Sequence, residues 1–317
     1  MIKSLDIIVA TYNGSAGIGR LLDSFLQAKK PENVDWVITV VDNNSNDGTS
    51  DIVRQYFSSL AGRLVLLLEK RQGKSFALNL GIDSTNRELV AFIDDDETVD
   101  AEWMTRVAAV FADDNVGYAG GPYVPVWPDG SGPPAWLPGG RQGVLGNTFD
   151  PGLGSDPLVF GQEYHGTLMG GNAIVRRSVI DRVGKFNQAL GRTAKGLLCS
   201  EDHDYQMRLQ KDGGLGLFDP QMRIYHWIKK NRISKKYFRS WSFWCAYSLA
   251  IMEEHDFSVA KIAGIPRWRI RQALTRLPSI AVNASKRFES ELMWWDLAGY
   301  TYSLLQRTNQ SLDKREA

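Results

Sequence analysis

Two hydrophobic periods alternate along the first hundred residues. Residues 5–10 (LDIIVA), 36–41 (WVITVV), 64–68 (LVLLL) and 89–93 (LVAFI) are short runs, apolar at successive positions, as strands buried on both faces require. Between them, residues 18–27 (with Leu21, Leu22 and Phe25), 51–60 (with Ile52, Val53, Tyr56 and Phe57) and 75–82 repeat apolar residues at helical spacing. Strand, helix and strand in units of roughly thirty residues predict a doubly wound α/β sheet with right-handed crossovers. Ligands of such sheets bind beyond the carboxyl ends of the strands.

Those ends are strongly polar here. Thr11-Tyr12-Asn13 follows the first run, Asp42-Asn43-Asn44-Ser45 the second, Lys70-Arg71-Gln72-Gly73-Lys74 the third and Asp94-Asp95-Asp96-Glu97 the fourth. Turn chemistry accounts for Asn, Asp and Gly in any single loop, but four polar ends on one rim point to a ligand site. No G-x-G-x-x-G follows the first strand and there is no Walker loop, which disfavours a nicotinamide, flavin or P-loop nucleotide site.

The acidic run carries the sharpest chemistry. Three adjacent carboxylates repel one another unless a cation or dense hydrogen bonding offsets the charge, and a hard divalent ion such as magnesium or manganese meets that need with one or two carboxylates plus phosphate oxygens. A period of two puts Asp94 and Asp96 on one face and Asp95 on the other. The plainer alternative is capping of the helix that carries Trp103, Val107 and Phe111. Asp100 fits that role, whereas Asp94 and Asp95 lie too early for it.

The segments 8–13 (IVATYN), 41–49 (VDNNSNDGT), 73–81 (GKSFALNLG) and 92–96 (FIDDD), followed by 170–177 (GGNAIVRR), 183–187 (VGKFN), 201–204 (EDHD) and Tyr225-His226, resemble in order and spacing the family-two inverting glycosyltransferases with the GT-A fold. The resemblance covers roughly residues 5–250. It implies a Rossmann-like, mostly parallel central sheet flanked by helices, with a C-terminal helical extension. It also implies a catalytic domain over 1–228 (nucleotide-binding half about 1–100, acceptor half about 101–228, irregular loop 121–168) and a basic, aromatic-rich helical region over 229–317. By resemblance, Asp42 binds the nucleobase with Thr11 and Tyr12, flanked by Asn13 and Asn44, while Arg71, Gly73 and Lys74 lie near the nucleotide. Asp94 faces the ribose or sugar, and Asp95 or Asp96 holds the metal on the diphosphate.

The second half must supply a base. Read by itself, Ser200-Glu201-Asp202 is equally the start of a helix, with Ser200 as cap and two acids favourable to the helix dipole. The resemblance makes Asp202 the general base, with Glu201 orienting it or the acceptor. His226 is either a packed core histidine or, by resemblance, part of the metal or diphosphate shell. Gly170, Gly171 and Asn172 are either a simple turn or a place where the glycines let backbone approach the donor sugar. The loop 121–168 is rich in Pro and Gly, with Tyr123, Trp127, Trp136 and Phe149 interspersed. Its aromatics either form a sugar-stacking platform or pack the loop down, and Trp127, Trp136 and His203 are the acceptor-side candidates.

Composition narrows the partners. The 317 residues are 43% hydrophobic and 23% charged with a formal charge of +1, ordinary for a folded chain. The balance hides opposite halves: residues 1–222 carry twenty basic and twenty-eight acidic side chains, whereas 223–287 carry fourteen basic and three acidic. Basic charge with Trp241, Phe243, Trp244 and Tyr247, and a stripe of Ile270, Leu274, Leu277 and Ala281 beside Arg267, Arg269, Arg271 and Arg276, suits an in-plane helix on an anionic membrane surface. A helix packed on its own domain explains the stripe nearly as well. No nucleic-acid motif accompanies the charge.

Cys199 and Cys245 are too few for a disulfide framework. Met1 leads directly into a strand pattern, and the apolar stretch 240–252 is thirteen residues, short of the roughly 20 that span a bilayer. A cytoplasmic enzyme, peripheral on the inner membrane face, is expected. The Q-x-x-R-W motif of membrane-spanning polysaccharide synthases is absent. The expected reaction is metal-assisted single displacement from a nucleotide sugar, with UDP as carrier, onto a glycan or lipid-linked acceptor. Two rivals stand beside it: a non-catalytic sugar-nucleotide binding module, and a haloacid-dehalogenase-like phosphatase suggested by Asp94-x-Asp96-x-Thr98-Val99, although that motif normally follows a first strand.

Overall fold

The computed structural model describes residues 2–145, 154–192, 197–212, 214–253, 259–276 and 286–316. Phe149, Leu277 and Ala281, named above, lie outside them. Two compact units divide the chain: 1–130, 143–188 and 201–228 form the first, and 131–142, 189–200 and 229–317 the second. Two stretches from within the first 228 residues therefore group with the C-terminal region.

In the first unit the alternating periods become β1 (Ser4–Thr11), α1 (Ile18–Gln27), β2 (Asp35–Asp42), α2 (Thr49–Gln55), β3 (Leu64–Leu68), α3 (Lys74–Asp83) and β4 (Leu89–Asp94). There follow β5 (Glu97–Val99), α4 (Trp103–Val110), β6 (Val116–Gly120), β7 (Tyr123–Val126), β8 (Leu158–Val159), β9 (Ala173–Arg176), α5 (Arg177–Val183), α6 (Glu201–Lys211), β10 (Leu215–Phe218) and β11 (Ile224–Trp227). The main sheet runs β3-β2-β1-β4-β9-β6-β10-β8. Strands β3, β2, β1 and β4 are mutually parallel, and β9 is antiparallel to both β4 and β6. A smaller sheet, β5-β11-β7, stands beside it.

Strand parity distributes the core to both faces, which is why the runs are apolar throughout. Ile7, Val9, Ile38, Val40, Ala91 and Ile93 join Leu21, Phe25, Trp103 and Val107 in one buried cluster. Ile8, Val41, Val90 and Phe92 join Ala77, Leu78 and Ile82 of α3 and Tyr205 and Leu209 of α6 in the other. Tyr205 stacks on Phe186 with ring centroids 4.4 Å apart and meets Phe92 edge-on at 6.4 Å, so the body of α6 is held to the sheet by aromatic packing.

The second unit contains α7 (Lys235–Met252), the short strands β12 (Lys261–Ile262) and β13 (Ile265–Pro266), α8 (Arg267–Thr275) and α9 (Arg287–Glu316). Ser234 caps α7 by accepting from the Tyr237 N–H at 3.2 Å. A Cβ built on Gly299 of α9 falls 1.9 Å from the Phe243 carbonyl of α7, so only glycine permits this helix contact. Among the described residues no helix is long and apolar enough to cross a membrane.

Candidate active site

Backbone register builds the rim. Thr11 pairs with Asp42 across β1 and β2, and Ala10 with Asp94 across β1 and β4, at the place where the strand order reverses and open α/β sheets bind ligands. After Asp94 the chain makes a tight turn through Asp95 and Asp96 and returns as β5. That turn brings Glu97 back onto Asp94, whose N–H donates to Glu97 Oε2 at 2.9 Å.

Carboxylate oxygens of Asp94, Asp96 and Glu97 lie within 4.8 Å of one another. Glu97 is wholly buried. Burial first, then the charges of Asp94 and Asp96, push its carboxyl well above the usual range, while the Asp94 N–H and the Tyr123 hydroxyl act the other way. His226, also buried, places Nε2 3.8 Å from Asp96 Oδ1 and Nδ1 2.7 Å from the Leu145 carbonyl. A carbonyl only accepts, so Nδ1 carries a hydrogen there. Asp95 lies outside that cluster: its Oδ2 accepts from Thr11 Oγ1 at 2.6 Å, and the third carboxylate is Glu97.

The residues present fit a hard divalent cation. The donor set is carboxylate oxygen with one nearby imidazole and no thiolate, which suits manganese or magnesium. The cradle is tight, because a Cβ on Gly171 would fall 1.9 Å from Glu97 Oε1. Asp94, Asp96 and Glu97 would hold the ion, with His226 beside Asp96.

At the end of β2, Asp42 is buried and accepts from the Ser45 N–H at 2.8 Å and from the Ser50 hydroxyl. Tyr12, which follows the strand partner Thr11 of Asp42, is exposed. Asn13 (φ 51°) and Asn44 (φ 64°) take left-handed backbone, which asparagine tolerates better than most residues. Asn13 cross-links the first two loops, its N–H donating to Ser45 Oγ at 2.9 Å and its Oδ1 accepting from the Asn46 N–H at 3.0 Å. Gly73 (φ 146°) donates its N–H to Asn43 Oδ1 at 2.8 Å. Arg71 is clamped by Glu69 through Nε at 3.0 Å and Nη2 at 2.6 Å. Lys74 is ion-paired with Asp94 at 2.7 Å and with Glu201 at 3.4 Å.

The acidic pair of α6 has two environments. Glu201 is buried against Lys74; burial raises its carboxyl above the usual range, Lys74 opposes that, and Asp202 adds to it. Asp202 is half-buried, accepts from the His203 N–H at 2.8 Å and stands over Gly170. Ser200 does not take the extended backbone of a capping residue: its φ is 75°. His203 is exposed.

Two of the expected residues are engaged with other parts of the protein. Asn172 is wholly buried, and its amide is spent on protein: Oδ1 accepts from Trp103 Nε1 at 2.9 Å, and Nδ2 donates to the Met222 carbonyl at 2.7 Å and the Pro122 carbonyl at 3.3 Å. Its side chain joins elements of the first unit. Trp136 belongs to the second unit and packs edge-on against Phe238 and Phe288, with centroids 5.8 and 5.5 Å away, so the packing alternative holds for it. Trp127 is half-buried. Sequence reasoning gave Glu97 no role, although it stood in the polar run after the fourth strand, and named Tyr123 only as one of the loop aromatics.

The model of the family described as Glycosyl transferase family 2 matches residues 6–184. The succinoglycan biosynthesis protein ExoM of Rhizobium meliloti is 25% identical over 74% of this chain and 72% of its own length. A glucosyl-dolichyl phosphate glucuronosyltransferase of Haloferax volcanii is 24% identical over 78% and 77%. Glycosyltransferase AglE of Haloferax volcanii is 28% identical over 40% of this chain, which spans 41% of that relative's length in the match. Among solved structures, the mannosyltransferase PcManGT of Pyrobaculum calidifontis, in complex with GDP-Man and Mn2+, superposes with a TM-score of 0.63 at 18% identity, covering 95% of this chain and 86% of that one. TarS 1-349 of S. aureus, in complex with UDP, gives 0.56 at 17% identity, covering 97% and 92%. The fold is GT-A-like.

Proposed function

The chain belongs to glycosyl transferase family 2, and from that premise we propose that it is an inverting glycosyltransferase of glycan assembly. It moves a sugar from a nucleoside diphosphate sugar to a hydroxyl of a glycan or lipid-linked acceptor. One observation carries the reading: Asp202 is an accessible carboxylate next to Glu201, which Lys74 ties to Asp94 of the acidic cluster. The complexes named for PcManGT and TarS support a nucleotide donor, with UDP or GDP as carrier.

Displacing a diphosphate from an anomeric carbon builds negative charge on the leaving oxygen. A divalent ion held by Asp94, Asp96 and Glu97, when bound, supplies electrophilic stabilisation of that charge. The protein's own groups do the rest. Asp42 and Tyr12 bind the base and Thr11 steadies Asp95. Asp202, within hydrogen-bond reach of an acceptor hydroxyl, takes its proton as that oxygen attacks, a contribution of roughly 10²- to 10⁴-fold. Glu201 is engaged by Lys74, which leaves one carboxylate for one displacement and therefore inversion.

The test is metal-dependent release of nucleoside diphosphate from a panel of UDP, GDP and dTDP sugars. Asp202→Asn should lower release at least about 100-fold while leaving nucleotide affinity within about threefold by calorimetry. Turnover within tenfold of the unaltered protein refutes the base; binding without any release supports a binding module instead.

An anionic membrane is the proposed second partner. In the second unit Ile262, Trp268 and Leu274 are about half exposed, with Arg267 and Arg271 exposed on the same helix as Trp268, the combination that in-plane helices present to headgroups. Flotation with phosphatidylglycerol vesicles should carry the protein upward, and its absence removes this partner.

A further inference from the structure

Lys74 opens α3, and its ammonium is turned inward. Nζ lies 2.7 Å from Asp94 Oδ1, 3.0 Å from Asp94 Oδ2 and 3.4 Å from Glu201 Oε1. Its side chain is 19% exposed and that of Glu201 8%. A lysine serving a diphosphate as a point charge would turn its three donors to the ligand. Here Nζ donates to Asp94 at the tip of β4 and is ion-paired with Glu201, the first residue of α6.

The rest of α6 is fixed differently. Tyr205 and Leu209 pack on the sheet, whereas the turn that bears Asp202 starts from Ser200 with its left-handed backbone. The Lys74 ion pair is the charged link from this first turn to the strand tip. Without the cation, Asp94, Glu201 and Asp202 would lose the charge that offsets their mutual repulsion, and like charges so placed drive apart.

We propose that Lys74 is a positioning residue that acts through Glu201, setting the first turn of α6, and with it Asp202, against Asp94, and does not serve as a ligand of the donor diphosphate. Its catalytic meaning rests on the reading of Asp202 as base. The link itself does not.

Four proteins decide it: the unaltered chain, Lys74→Met, Lys74→Arg and Glu201→Gln. Hydrogen exchange of amides 201–205 should quicken at least tenfold in Lys74→Met and Glu201→Gln and return to within threefold in Lys74→Arg. Binding of UDP, GDP or dTDP with manganese chloride, by calorimetry, should stay within threefold in Lys74→Met. Nucleotide release should fall at least thirtyfold in kcat with donor KM within threefold, and Lys74→Arg should restore it. Unchanged exchange at 201–205 overturns the proposal, as does a tenfold or greater loss of nucleotide affinity with those amides still protected, which would make Lys74 a diphosphate ligand. Should Lys74→Met not fold, Glu201→Gln removes the same pair from its other end and must loosen the same amides. If the unaltered protein neither binds nor releases any of the nucleotides, the transferase reading fails, and the exchange arm still decides the role of Lys74.

Discussion

Asp202 occupies the space that a side chain on Gly170 would enter: a Cβ built there falls 3.0 Å from Asp202 Cβ and 3.4 Å from its Oδ2. The glycine is thus a spacer beneath the proposed base. Gly170→Ala must move Asp202 by a few tenths of an ångström, and misplacement of a reacting group is costly. We expect nucleotide release to fall about tenfold with nucleotide affinity unchanged. Kinetics beside calorimetry would check this, and parallel losses in both would contradict it.

The acidic cluster should report metal directly. With UDP present, manganese should raise the melting temperature of the unaltered protein, because a ligand that binds only the native state stabilises it. Asp96→Asn and Glu97→Gln should each weaken that manganese dependence at least about tenfold, whereas Asp95→Asn, which alters a carboxylate bonded to Thr11, should weaken it less. Equal effects of all three would mean that the cluster is assigned wrongly.

Asn172→Ala should behave as a structural lesion. It leaves the Trp103 indole N–H and the Met222 carbonyl without their buried partner, at a cost of about 2–4 kcal/mol. Urea denaturation should show this loss. The folded fraction should bind nucleotide normally.

Acid should weaken the loop beside Asp42. Burial alone would raise the Asp47 carboxyl, but hydrogen bonds from Thr49 and Ser15 outweigh it and hold it at about 2, below the ordinary 3.8. A depressed folded value means that its stabilisation is complete above the unfolded value and disappears as pH falls from about 4 toward 2. Asp47→Asn should therefore cost about 1 kcal/mol or less at pH 7, given the residue's exposure. The difference from the unaltered protein should vanish near pH 2. A pH-independent difference in thermal melts would exclude the titration.

The sheet could be read from sequence because its signal is local. Apolar runs gave β1 to β4 within a residue or so at each end, and the polar residues after them do gather on one rim. Positions in the candidate site were legible where one strand or one loop determines them, as for Asp42 at the end of β2 and for Asp94 and Asp96 at the end of β4. It was not legible where the decisive partner is remote. Glu97 becomes a member of the cluster only through the turn at 95–96 and its neighbours Tyr123 and Gly171. An amide such as Asn172 suits a sugar or a helix–strand junction equally well until Trp103 is seen to claim it. Ser200 has a capping side chain, but its φ of 75° decides against that use.

Because Thr11, Asp42 and Asp94 are aligned by residue-for-residue pairing of parallel strands, their spacing is indexed by the backbone ladder. One residue inserted within β1 would reverse which side chains face each layer and would slide Thr11 past both neighbours at once. Extra residues in the turns at the opposite end would leave the three in step. Such a protein can lengthen or exchange most of its connections while Asp42 and Asp94 keep their places, but it cannot tolerate a change in the length of its central strands.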